Sequence, residues 1–221
     1  MQNFIIFPTI ALALGYCLGA IPFAVIIARR HGVDILKAGS GNPGATNVKR
    51  TCGKKAGNTV FALDAVKGFL AAFLPSLLPL SLAGSAENAD SFAQVVAVSQ
   101  LAGFAGAVLG HCFSVFLKFK GGKGVSTTVG ALLGAMPIAV VIGGIVWAAV
   151  YFPTRVVAIA SIALGISLPA TTFLLSKFAP ALGYGEIQIG FCVVIMIFII
   201  AMHHSNIRRL LKGEENAFKK K

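Results

Sequence analysis

Acidic side chains are scarce in this chain: seven Asp and Glu stand against 19 Lys and Arg in 221 residues, and charged residues make up only 12% of the total. So few carboxylates argue against a metal site built from clustered acidic ligands. The four cysteines, Cys17, Cys52, Cys112 and Cys192, show no CxxC or Cys/His ligand spacing, so neither a disulfide framework nor a metal centre follows, and no cofactor is expected. There is no Gly-x-Ser-x-Gly elbow, and no carboxylate lies close in sequence to a histidine in a triad pattern. Long polar stretches are missing as well. That leaves no room for a separate soluble domain, and residues 1–221 are expected to form a single membrane-integral domain.

What the chain has in abundance is apolar surface, at 57% of residues. Apolar runs lie near residues 4–28, 57–80, 92–110, 125–151, 156–176 and 187–202, most of them close to the roughly 20 residues that cross a bilayer as a helix. The expected fold is all-α, a polytopic membrane helix bundle in contact with lipid. The basic excess sits at membrane-flanking positions, where retention on one side explains it, so no nucleic-acid partner is expected.

The first apolar run has no basic segment before it and is followed by Arg29 and Arg30, the reverse of a cleavable secretory signal. The N-terminus is therefore expected outside. The loop that follows carries Arg29, Arg30, Lys37, Lys49, Arg50, Lys54 and Lys55 against Asp34 and is expected in the cytoplasm by the positive-inside rule. The connection around Glu87 and Asp90 reads as external, the segment holding Lys118, Lys120 and Lys123 as internal, and the tail from Arg208 to Lys219, Lys220 and Lys221 as internal. Parity then requires one run to be double or incomplete. Met136-Pro137 in the middle of 125–151 is the natural break, since proline removes an N–H and clashes with the preceding turn. Seven helices are expected, or five if parity is met another way.

Three polar islands interrupt the apolar chain: residues 39–50, 119–124 and 203–209. Close glycines let backbone N–H groups converge on an anion while Lys and Arg supply countercharge, so the islands predict binding of a phosphorylated substrate. Gly39-x-Gly41-x-x-Gly44 matches the dinucleotide fingerprint, but no strand precedes it. Gly121-Gly122-Lys123-Gly124 is not a P-loop, because Gly124 stands where Ser or Thr should follow the lysine. Asp64 and Lys67 lie one helical turn apart inside an apolar run. They read as a structural ion pair or as support for the islands.

Taken together, the islands resemble the bacterial acyl-phosphate:glycerol-3-phosphate acyltransferase family. The first motif is Gly39-Ser40-Gly41-Asn42-Pro43-Gly44-Ala45-Thr46-Asn47-Val48-Lys49-Arg50 and the second runs from Gly110-His111-Cys112-Phe113-Ser114 to Phe119-Lys120-Gly121-Gly122-Lys123-Gly124-Val125. The third is His203-His204-Ser205-Asn206-Ile207-Arg208-Arg209-Leu210-Leu211 with Gly213 and Glu215. Ser114 replaces the usual proline of the second motif, a change expected to loosen the turn into Val115. The Thr154-Arg155-Val156-Val157 stretch keeps Arg155 and Ser161 of the family pattern, with Ala158 in place of a frequent serine. The His-x4-Asp signature of a different acyltransferase class is absent, since neither His111 nor His203 has Asp five residues on.

The resemblance implies transfer of a fatty acyl group from acyl phosphate to the 1-hydroxyl of glycerol 3-phosphate, the first step of phospholipid synthesis, at the cytoplasmic side of the bacterial inner membrane. It implies Ser40, Arg50, Lys123, Ser161, His203 and Asn206 as active-site residues, and Gly41, Asn42, Thr46, Asn47, Gly121, Gly122 and Gly124 as further phosphate-binding positions. Arg50 would grip phosphate as a planar fork and Lys123 as a point charge. Lys123 and the N–H groups of Gly121 to Gly124 would stabilise charge on the reacting carbonyl or the departing phosphate, with Ser40 and Asn206 positioning substrates. The hydroxyl proton would pass to His203, to His111 or to the substrate's own phosphate. Plainer roles stand beside these: turn and cap chemistry for Ser40, Asn42 and Asn47, an interfacial hydrogen bond for His111, and solvation for His204. An organic-phosphate transporter is the alternative function.

Overall fold

The computed structural model describes residues 2–78 and 89–215. The connection around Glu87 and the Lys219 to Lys221 tail lie outside the described residues. Every regular element described is helical. Two compact units divide the chain, residues 1–136 and 137–221, and each is described by itself.

The first unit opens with α1 (Gln2–Ala20), which stops because Pro22 forces Ile21 out of helical geometry, and resumes as α2 (Phe23–Arg30). The first island then wraps into α3 (Ala45–Thr51), and Gly53, at φ 94°, turns the chain into α4 (Lys54–Phe73). After α4 come α5 (Ala89–Cys112), the second island and α6 (Val125–Ala135).

Glycine lets these helices touch backbone to backbone. On α1 and α5, Gly15 lies on Gly103, Gly19 on Ala107, Leu12 on Gly106 and Tyr16 on Gly110, so contacts advance in the same direction and the two helices run parallel. On α4 and α6, Ala65 lies on Gly130 and Phe69 on Gly134, again parallel. Small residues are the usual means of close approach where lipid supplies no hydrophobic drive between helices. These pairings bring both islands of this unit to one end of it: the first follows α1 and α2 and precedes α4, the second follows α5 and precedes α6. A Cβ at Gly19 would overlap the Ala107 carbonyl, whereas one at Gly144 meets nothing within 4 Å. Gly19→Ala is therefore expected to cost about 1–3 kcal/mol, read as a lowered thermal midpoint in detergent, with Gly144→Ala unchanged or slightly stabilised.

The second unit contains α7 (Pro137–Thr154), α8 (Val157–Phe178), α9 (Glu186–Met202) and α10 (His204–Leu211). The break expected at Met136-Pro137 is present: α6 ends at Ala135, and Met136 leaves the helical region at φ −144° and ψ 62°. Among the described residues, five helical segments are long and apolar enough to cross a membrane, and the bent pair α9 and α10 makes up to six. The difference from seven lies in α6, whose 11 residues reach only about 16 Å at 1.5 Å per residue, short of a hydrocarbon core of about 30 Å.

Candidate active site

In the first island the organising residue is Asn47, 2% exposed on α3. Its Nδ2 donates to the carbonyls of Ala38 at 2.9 Å, Asn42 at 3.1 Å and Ile35 at 3.4 Å, and its Oδ1 accepts from the Ser40 N–H at 3.1 Å. Gly41 N–H donates to Ala38 O and Gly44 N–H to Asn42 O. Asn47, expected among the phosphate-binding positions, spends these hydrogen bonds within the loop and is its internal brace. The N–H groups of Ser40, Gly41 and Gly44 are likewise committed within the island. What the loop offers outward is side chains: Ser40 and Arg50 are exposed, while Asn42 and Thr46 are half-buried. Gly39 is required for the brace itself, since its φ is 59° and a Cβ there would overlap Asn47 Oδ1.

The second island folds back on the C-terminal end of α5. Gly121 N–H donates to Cys112 O at 2.9 Å and Gly122 N–H to His111 O at 3.1 Å. These two amides are bonded to α5, whereas the expectation was that the whole run from Gly121 to Gly124 would turn its N–H groups to an anion. A Cβ at Gly121 would overlap His111 O, and one at Gly122 would overlap His111 Nε2, so glycine is needed for the chain to lie this close. Just before it, Lys118 and Phe119 both sit at positive φ, 52° and 62°. A left-handed non-glycine residue costs roughly 1–2 kcal/mol, and Phe119 N–H to Ser114 O at 2.8 Å and Lys120 N–H to Leu117 O at 3.1 Å hold the pair there.

Ser114, expected to loosen this turn, instead ties it down. It is 1% exposed, its hydroxyl donates to Ala20 O at 2.6 Å, and its own carbonyl accepts from Leu117 and Phe119. Proline at this position could not make the bond to α1.

Asp64, Lys67 and His111 are all buried, at 1%, 3% and 8% exposure. Asp64 Oδ1 lies 2.8 Å from Lys67 Nζ and 3.6 Å from His111 Nδ1.

In the second unit, Thr172 meets Cys192 at 3.4 Å, and Gly165 packs on Ile199, so α8 and α9 are antiparallel. Seven residues back along α8 match seven forward along α9. One further turn in the same register sets Ser161 opposite His203. Ser161 is 1% exposed, and its hydroxyl has no hydrogen-bond partner. His203 is the joint at which α9 and α10 bend by 55°. Its Nδ1 lies 2.8 Å from Ile199 O. A carbonyl can only accept, so Nδ1 carries a proton, and in the neutral form of the ring the lone pair lies on Nε2. His204 is exposed, in line with a solvation role.

Asn206, at 7% exposure, donates from Nδ2 to Glu215 Oε1 at 2.9 Å, while Arg209 Nε donates to Glu215 Oε2 at 2.7 Å. Glu215 thus fixes the Asn206 amide with its oxygen directed away from the carboxylate. Glu215 has no role in the third motif as read from sequence; two adjacent carboxylates, Glu214 and Glu215, trailing a basic helix are the available signal. Glu215→Ala should lower kcat/KM by about tenfold, the effect expected for a bond to a charged group worth about 1.5–3 kcal/mol, with Glu215→Gln partly restoring it in a steady-state assay. Among the described residues, no three His, Cys, Asp or Glu side chains gather closely enough to hold a metal ion.

A family model described as glycerol-3-phosphate acyltransferase matches residues 9–213. The chain is 36% identical to a glycerol-3-phosphate acyltransferase of Geobacter sulfurreducens, over 95% of this chain and 97% of the relative, and 40% identical to one of Aquifex aeolicus, over 92% and 95%. Crystal structures of PlsY, an integral membrane glycerol 3-phosphate acyltransferase, superpose with a TM-score of 0.78 for the glycerol 3-phosphate form and 0.76 for the lysophosphatidic acid form. Both are 36% identical; the match covers 96% of this chain in each case, and 96% and 95% of those chains. The protein is thus a multi-pass membrane acyltransferase. It belongs to the glycerol-3-phosphate acyltransferase family, which sets the transporter alternative aside.

Proposed function

We propose that the protein transfers a fatty acyl group from acyl phosphate to the 1-hydroxyl of glycerol 3-phosphate, releasing lysophosphatidic acid and inorganic phosphate, and that it does so at the cytoplasmic face of a bacterial inner membrane. Residues 1–221 are taken as a single acyltransferase domain. The observation that carries the reading is the pair of rigid, glycine-braced islands at one end of the first unit, which hold Arg50 and Lys123 on tightly hydrogen-bonded backbone. Such cations suit a reaction between two phosphorylated substrates, and the bound glycerol 3-phosphate form of a 36% identical relative fits it.

Acyl phosphate is an activated mixed anhydride, so the protein's work is to hold two anions and orient a hydroxyl. The hydroxyl oxygen attacks the acyl carbon. A C–O ester bond forms, the C–O bond to phosphate breaks, and the electron pair leaves with phosphate near a cationic group. Arg50 and Ser40 bind glycerol 3-phosphate, with Asn42, Thr46 and Gly41 shaping their loop. Lys123 neutralises charge on the carbonyl oxygen or leaving phosphate. In the second unit Ser161 and Asn206 orient substrate, and the proton passes to His203 Nε2 or to the phosphate of glycerol 3-phosphate itself. The acyl chain enters laterally from the bilayer.

The test is transfer by purified protein with acyl phosphate, acyl-CoA and acyl-carrier protein offered in parallel. Lysophosphatidate from acyl phosphate alone is the expected result. Product from a thioester donor at equal rate would overturn the donor assignment.

A further inference from the structure

Beneath the two islands of the first unit lies a small cavity of about 10 Å³, lined among others by Pro43 of the first island, Gly122 of the second, Asp64, Lys67, His111 and Ser114. It is walled by buried groups that the reaction above does not use. Asp64 is the centre: Oδ1 faces Lys67 and His111, and Oδ2 is buried without a hydrogen bond. Lys67 spends its charge on two further partners. Its Nζ donates to Ile21 O at 2.9 Å, in the break between α1 and α2, and stands 5.6 Å from the centre of the Phe23 ring. His111 accepts the Gly122 N–H on its carbonyl, and its ring fills the space where a Gly122 side chain would be.

We infer that Asp64, Lys67 and His111 are positioning residues, a buried polar brace that fixes the second island, and with it Lys123, on the break between α1 and α2. The inference rests on the proposed acyl transfer and deepens it. A mere structural ion pair needs only two members that satisfy each other. Here each member reaches a different element: Lys67 holds the α1–α2 break, Asp64 stands on α4, and His111 touches the island one residue from Lys123. Ser114 adds a parallel tie, joining the end of α5 to Ala20. None of the three is a catalytic residue in this scheme. They act through the placement of Lys123.

Two comparisons test this in the full-length protein. His111→Gln keeps a side-chain amide donor for Asp64, and His111→Leu removes it at similar size. The brace predicts that the Leu variant lowers kcat about tenfold, as a displaced Lys123 would, and that Gln keeps kcat within threefold of wild type. Loss of kcat in Gln equal to that in Leu would instead make the imidazole a proton carrier and overturn the inference. The second comparison is Asp64→Asn/Lys67→Met, which leaves no unpaired buried charge. Its thermal midpoint is expected above those of both single variants while kcat stays lowered about tenfold; KM and kcat within twofold of wild type would reduce the pair to a structural one. Wild-type turnover of acyl phosphate is measured alongside. Its absence would strike the proposed reaction, whereas a wild-type-like Leu variant against an active wild type would strike only the brace.

Discussion

Lys123→Ala, in protein that inserts normally, lowers kcat/KM for acyl transfer by about 10²–10³, the range found when one preorganised donor to a developing oxyanion is removed. The size of the expected loss follows from the second island's backbone. With the Gly121 and Gly122 amides bonded to Cys112 and His111 carbonyls, no neighbouring N–H of that pair can take over the charge. Lys123 is half-buried on its loop in a unit packed through its helices, so the thermal midpoint should fall far less than the activity does. Product formation with saturating acyl phosphate, measured against glycerol 3-phosphate concentration, checks the prediction. Activity within threefold of wild type would remove Lys123 from the chemistry.

Gly121→Ala is expected to be nearly as damaging without touching a charged group. Its Cβ would overlap the His111 carbonyl and crowd Cys112, both backbone atoms of α5 that have no rotamer by which to withdraw. The loop must lift away instead, breaking the Gly121 to Cys112 hydrogen bond and moving Lys123. A loss of more than about 10² in kcat/KM is expected, consistent with the cost of misplacing a catalytic group by about 1 Å. Because the strain falls on a surface turn, the protein should still purify as a folded species. A variant that unfolds, or one that retains full activity, would each contradict this account of the glycine.

Much of this was legible from the chain. The apolar runs placed α1, α4, α5, α8 and α9 because a lipid-facing helix has to be apolar nearly all round. Met136-Pro137 marked its break because proline forbids helical geometry in the residue before it. The islands and Lys123 stood out as clustered charge and glycine in an apolar sequence. The use made of the glycines did not stand out. Sequence shows that an amide is close to others, not whether a carbonyl elsewhere already holds it, and the amides of Gly41, Gly44, Gly121 and Gly122 are all held by backbone carbonyls. The bracing role of Asn47 is hidden for the same reason, since the three carbonyls it serves come from residues 5 to 12 positions away. Ser114 appeared to be a weakening of the motif until its partner, Ala20, was seen 94 residues back along the chain. That Ser161 and His203 fall toward the same end of α8 and α9 follows from the antiparallel register of the two helices, which neither motif encodes alone.

The account requires direct attack of the glycerol 3-phosphate hydroxyl on acyl phosphate, with no acylated protein between. The most direct measurement is rapid mixing of purified protein with acyl phosphate alone, following inorganic phosphate release and the intact mass of the protein. Direct transfer predicts no phosphate burst and no acyl adduct until glycerol 3-phosphate is added, when phosphate and lysophosphatidate appear together in equal amounts. A burst of one phosphate per protein, with a matching gain of one acyl group in mass, would contradict it.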